Sequence, residues 1–181
     1  MFIPKRIIFE KNALNYEMGK NIYEKFKDKA EIITLTNNKI KGNIPGDNIM
    51  EYYKEGKNTL VVGVKKGYKF QSCKPSAHWQ LPLLSGCVGN CQYCYLNTNL
   101  GDKPFIKINV NIDDILNRAQ EYMYERKPKI TIFEGRINHP VIFKCNTHFL
   151  DYGKKFLLWQ MQNRGTCPDA FIFTTRIQVL K

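Results

Sequence analysis

Three cysteines fall within eight residues of this chain, in the run Ser85-Gly86-Cys87-Val88-Gly89-Asn90-Cys91-Gln92-Tyr93-Cys94-Tyr95-Leu96. Thiolates are the usual ligands of iron–sulfur clusters, normally four to a cluster. The C-x3-C-x2-C spacing of Cys87, Cys91 and Cys94 is long enough to wrap three corners of a [4Fe-4S] cubane. A site with three protein thiolates leaves the fourth iron open to a small molecule. That open corner is the most specific chemistry the sequence offers.

Two other chemistries use clustered cysteines. A structural zinc site pairs C-x2-4-C with a second Cys/His pair. Cys91 and Cys94 supply one pair, but Cys73, His78, Cys145 and Cys167 show no matching second pair. A disulfide framework is compatible with the even total of six cysteines. It would require an oxidising compartment. Met1-Phe2-Ile3-Pro4-Lys5-Arg6 is too short and too soon charged to read as a secretory signal.

The aromatic Tyr93 just before the third cysteine makes C-x3-C-x-(aromatic)-C, which resembles the signature of the radical S-adenosylmethionine (SAM) superfamily. More narrowly, Pro75-Ser76-Ala77, Gln80-Leu81-Pro82, Ser85-Gly86-Cys87, Tyr93-Cys94-Tyr95-Leu96 and Leu100-Gly101 look like the spore photoproduct lyase family. Val110-Asn111-Ile112-Asp113-Asp114-Ile115-Leu116 and Ile132-Phe133-Glu134-Gly135 continue the likeness, which thins from Arg136 to Lys181. The resemblance implies that SAM chelates the open iron and that one-electron cleavage yields a 5′-deoxyadenosyl radical. It implies repair of 5-thyminyl-5,6-dihydrothymine, the thymine dimer of ultraviolet-damaged spore DNA, in the cytoplasm of a spore former. It also implies an electron donor such as a ferredoxin or flavodoxin.

The resemblance assigns roles residue by residue. Tyr93 would lie near the adenine and Tyr95 near the cofactor, although a core aromatic is an equal reading of Tyr95. Glu134 and Gly135 would end the second barrel strand, where backbone groups hold the methionine amino group. Arg176, in Phe173-Thr174-Thr175-Arg176, stands where the family has a lysine for the SAM carboxylate. The two are not interchangeable, and a surface arginine is the plainer alternative. Most members place a hydrogen-donating cysteine after the second barrel strand, but this chain has Arg136-Ile137-Asn138-His139-Pro140 there. Cys73, 14 residues before Cys87, is the candidate substitute. A buried small hydrophobe is the usual fate of such a cysteine.

Composition agrees with a folded chain that binds a polyanion. The 181 residues are 43% hydrophobic and 13% aromatic, enough for a sizeable core. The formal net charge of +12 and a pI near 9.4 favour nucleic acid, as does the short basic run Lys65-Lys66-Gly67-Tyr68-Lys69. A lysine-rich solvated surface is the bland alternative. No apolar run approaches the roughly 18 residues a membrane span needs.

The elements that must position the thiols follow from periodicity and turn chemistry. Residues 1–72 read as a small α/β unit: a strand over Arg6–Glu10, a helix over Asn12–Lys27, strands over Glu31–Thr36 and Thr59–Val64, and a helix capped by Asp47 or Asn48 and stopped by Gly56. Cys73–Gln80 reads as a linker and Leu81–Ser85 as a strand feeding the thiol loop. An apolar stripe of Ile112, Ile115, Leu116, Ala119, Tyr122 and Met123 predicts a helix, with Asn111 as its cap. Strands are expected over Ile130–Phe133 and Ala170–Thr175, with a helix over His148–Gln162.

The fold class is therefore α/β, a small N-terminal unit followed over 73–181 by a partial (β/α) barrel of TIM-like, radical SAM type. Barrel chemistry sits at strand carboxyl ends. Some three β/α repeats are present, against about six in the superfamily core. The expectation is a truncated copy, a subunit or a self-associating half, since open sheet edges invite pairing. Another radical SAM enzyme, or a zinc-bearing nucleic-acid binder, are the rival functions.

Overall fold

The computed structural model describes residues 3–37, 39–67, 69–75, 77–86, 103–127, 129, 131–135 and 170–174. In chain order these form β1 (Arg6–Phe9), α1 (Glu17–Phe26), β2 (Glu31–Thr34), α2 (Ile49–Lys57), β3 (Thr59–Gly63), β4 (Gln71–Cys73), β5 (Ala77–Leu81), β6 (Leu84–Ser85), β7 (Ile106–Asn109), α3 (Ile112–Glu125), β8 (Thr131–Gly135) and β9 (Ala170–Thr174). They belong to two compact units, Met1–Val64 with Leu84–Val110, and Lys65–Leu83 with Asn111–Lys181.

In the first unit β1 and β3 are buried at every residue, as strands covered on both faces of a parallel sheet must be. The sheet order is β2-β1-β3-β7-β6, parallel throughout except where β6 pairs antiparallel with β7. Ile8, Leu35, Ile44, Val61 and Phe105 pack as one core cluster, while Phe9 meets Tyr23 of α1 edge-on at 6.0 Å. The expected first helix starts later than periodicity suggested. A 3-10 turn over Ala13–Asn15 precedes it, and Gly19 lets that turn's Ala13 backbone approach α1 closely. Asn48 caps α2 by accepting from the Glu51 N–H at 2.9 Å. The helix runs past Gly56, which is buried against the Pro104 ring and so serves packing rather than termination.

The second unit holds a four-stranded sheet in the order β4-β5-β8-β9, with β5, β8 and β9 parallel and β4 antiparallel to β5. The α3 stripe Ile112, Ile115, Leu116, Ala119, Tyr122 and Met123 is buried as expected. Tyr122 stacks on Trp79 at 4.6 Å and on Phe70 at 5.1 Å, and Phe70 meets Phe133 at 6.4 Å. These rings join α3 to one face of β5 and β8.

Two expectations about strands fail here. The segment read as a linker, Cys73–Gln80, carries all of β5 but its last residue, and β5 is the first parallel strand of this sheet. The segment read as one strand, Leu81–Ser85, is split: Leu81 ends β5, and Leu84–Ser85 form β6 on the other unit's sheet. Asn111 begins α3 but its side chain makes no cap bond. Its carboxamide instead clips the Lys65 peptide, accepting from the Lys65 N–H at 2.8 Å and donating to the Lys65 carbonyl at 3.1 Å. The expected helix over His148–Gln162 lies outside the described residues. No helix among the described residues is long and apolar enough to cross a membrane.

Candidate metal and cofactor site

Three parallel strands end together. In register, Leu81 of β5 pairs with Gly135 of β8, and Gly135 with Thr174 of β9. Glu134 and Gly135 thus occupy the last two positions of the second parallel strand, and Glu134 is level with Gln80. Carboxyl ends of such strands are where (β/α) barrels gather their chemistry. The first thiol of the C-x3-C-x2-C spacing follows Leu81 by six residues. Cys87, Cys91, Cys94, Tyr93, Tyr95 and Arg176 themselves lie outside the described residues. Among the described residues no group of three or more His, Cys, Asp or Glu side chains converges as a metal site.

The approach to the thiols is described up to Gly86. Ser85 pairs with Lys107, and Leu84 with Ile108. Gly86 adopts φ +88, a backbone that side-chain-bearing residues rarely take. A Cβ there would run into the Phe105 carbonyl oxygen and lie 3.0 Å from Ile106 Cα. The glycine before Cys87 is therefore required both by its dihedral and by the closeness of β7. Sequence reasoning treated it as a family match only. It also missed Lys107 and Glu10, whose ion pair lies nearby in the same sheet.

Cys73 sits on β4 opposite Ala77, the first residue of β5, and its thiol is half-buried. Leu81 lies four positions after Ala77, about 13 Å at the usual strand rise. His78 and Trp79 belong to β5. The Ile132 N–H donates to His78 Nδ1 at 3.0 Å, so the imidazole caps the start of the β5–β8 ladder. Burial first, then the charges of Arg126 and Lys74, hold the His78 pKa below its ordinary value and keep Nδ1 free to accept. Trp79 packs against Tyr122 as above, which leaves neighbouring Gln80 on the opposite face by strand alternation. Both His78 and Trp79 therefore serve packing within their own unit.

A parallel sheet whose strands end at one level, in a chain whose C-x3-C-x2-C spacing begins six residues after the first of them, fits a radical SAM type of partial barrel. Residues 2–164 match the model of the spore photoproduct lyase family. The chain belongs to that family. It is 54% identical over 139 residues to the spore photoproduct lyase of Clostridium acetobutylicum, covering 76% of this chain and 41% of the relative. To the Bacillus subtilis enzyme it is 42% identical over 142 residues, covering 78% of this chain and 42% of the relative. A solved spore photoproduct lyase complexed with dinucleoside spore photoproduct matches with TM-score 0.70 at 48% identity, over 75% of this chain and 40% of that one. A mutant solved with bound AdoMet and dinucleoside spore photoproduct matches with the same TM-score at 49% identity and the same coverage. The chain thus spans about two fifths of the length of these relatives.

Proposed function

We propose that this chain carries the cofactor-binding part of a radical SAM lyase acting on 5-thyminyl-5,6-dihydrothymine in DNA. The observation that carries this reading is the common level of Leu81, Gly135 and Thr174, in a chain that reaches three suitably spaced thiols six residues after Leu81. Cys87, Cys91 and Cys94 would hold a [4Fe-4S] cluster, and three soft thiolates fit that group better than any harder metal. Bound there, cluster and SAM supply a carbon radical able to take a hydrogen atom from the lesion, given one electron from a ferredoxin or flavodoxin.

The chain's own residues bind and orient. Gly135 ends β8 without a side chain, which suits close backbone approach to the methionine amino group. Tyr93 and Tyr95 would flank the adenosyl group and Arg176 the carboxylate. The formal charge of +12 suits the polyanionic substrate. The lesion would leave the stack to reach the site, as base chemistry in a duplex generally requires.

Cys73 is the proposed hydrogen donor to the product thymine radical. Its support is a half-buried thiol on the strand next to β5. A Cys73→Ala protein should cleave SAM while diverting the lesion to adducts in place of two thymines. Unaltered repair by that variant rules the role out.

Anaerobic reconstitution tests the cluster reading. The chain should take up iron and sulfide, absorb near 400 nm and form 5′-deoxyadenosine from SAM under dithionite. Alanine at Cys87, Cys91 or Cys94 should sharply lower the iron bound. A colourless protein holding stoichiometric zinc would refute the proposal.

A further inference from the structure

Lys107 is a charged residue inside a five-stranded sheet. On β3 its register partner is Val61, and on β6 it is Ser85, two residues before Cys87. Its side chain is 25% exposed, and its ammonium is not left to solvent alone. It pairs with Glu10, the residue after β1, although β3 lies between β1 and β7. Two strand spacings, about 9.6 Å, separate those backbones, so the two side chains meet over β3. Gly63 leaves them room: a Cβ there would sit 2.5 Å from Glu10 Oε2 and 2.6 Å from Lys107 Cε. The Glu10 carboxylate is 7% exposed, and its Oε2 accepts from the Val64 N–H at 3.3 Å. Breaking such a pair leaves an uncompensated buried charge, so the two groups hold one another in place.

That clamp acts on a weak element. β6 has two residues at a sheet edge, and strands this short are marginal unless held from outside. Gly86 fits β7 so closely that no Cβ is tolerated. The position of the chain entering Cys87 is therefore set by β7, and β7 is fixed across β3 to β1.

We propose that Glu10 and Lys107 are positioning residues for the iron–sulfur site, the first unit's sheet being the fixed footing from which the thiol loop departs. This rests on the reading that Cys87, Cys91 and Cys94 bind a cluster. It assigns to Glu10, 77 residues before the first of these thiols, a task in metal binding.

The test uses reconstituted whole chain as wild type, as Glu10→Gln and Lys107→Met, and as the charge swap Glu10→Lys with Lys107→Glu. Each is followed by the electron paramagnetic resonance of the reduced cluster and by the rate of iron loss to a ferrous chelator. The single variants should broaden or shift the resonance and lose iron about tenfold faster, because local opening at the loop root becomes easier. The swap should restore both readouts. Single variants with lower unfolding midpoints but unchanged resonance and iron loss would reduce the pair to a structural one and overturn the proposal. A wild-type chain that binds no iron and sulfide would instead overturn the cluster reading. Hydrogen exchange of metal-free wild type guards against variants that do not fold. Those amides of Leu84–Gly86 that are directed at β7 should be well protected, and exchange of all of them at free-loop rates would also overturn the proposal.

Discussion

Replacing Gly86 by alanine probes the loop root directly. Two penalties add. Alanine at φ +88 costs about 1–2 kcal/mol of backbone strain. Its Cβ would also meet the Phe105 carbonyl and sit 3.0 Å from Ile106 Cα, an overpacking worth about 1–3 kcal/mol. The sum, about 2–5 kcal/mol, is a large share of a typical domain's stability of about 5–15 kcal/mol. The chain has a cheaper escape, which is to peel β6 from β7. That sacrifices two ladder positions at about 1 kcal/mol each and the burial of Leu84, worth about 1.5–3 kcal/mol. The two costs are comparable, so local release should cap the global loss. Gly86→Ala should therefore lower the urea midpoint modestly while amide exchange in Leu84–Gly86 accelerates strongly. Iron uptake should fall with it. Equal midpoints and equal exchange protection in the two proteins would refute the reasoning.

Other consequences can be checked with the same measurements. His78 accepts from the Ile132 N–H, and burial with nearby Arg126 and Lys74 lowers its pKa in the fold. A depressed histidine pKa means the unfolded chain binds the proton first. The stability it contributes is complete above the unfolded value, about 6.5, and declines as pH falls from there toward the lower folded pKa. His78→Phe should lose about 1–3 kcal/mol at pH 8 and flatten the stability profile just below pH 6.5, read by urea unfolding. Asn111, 1% exposed, holds both polar groups of the Lys65 peptide. Asn111→Ala should cost about 2–3 kcal/mol, seen as a lower midpoint with unchanged slope.

The parts of this fold legible in sequence are those whose signal is local. The six apolar residues of α3 show a helical period, and they are buried. Ile7–Phe9 and Leu60–Val62 are the apolar runs that a doubly covered parallel strand demands. Other features depended on distant partners. β5 reads Ala-His-Trp-Gln-Leu, a period-two alternation without a β-branched residue, and that composition disguised it as a linker. β7, for which the sequence offered no assignment, contains a lysine whose partner lies 97 residues away. Asn111 obeys the local preference for a helix start in position only, because the half-buried backbone of Lys65 claims its side chain. The thiol spacing needs no fold to be recognised, whereas the need for glycine at 86 is visible only once Phe105 stands against it.

The pairing of Ser85 with Lys107 ties together the two ends of a 21-residue segment, residues 86–106. A free segment of that length loses about 2.7 kcal/mol of chain entropy when its ends are brought together. Here sheet formation has already met that cost before any metal arrives. If Cys87, Cys91 and Cys94 take up iron, they do so from a segment whose two ends the sheet already holds, and less of the binding energy is spent on ordering polymer.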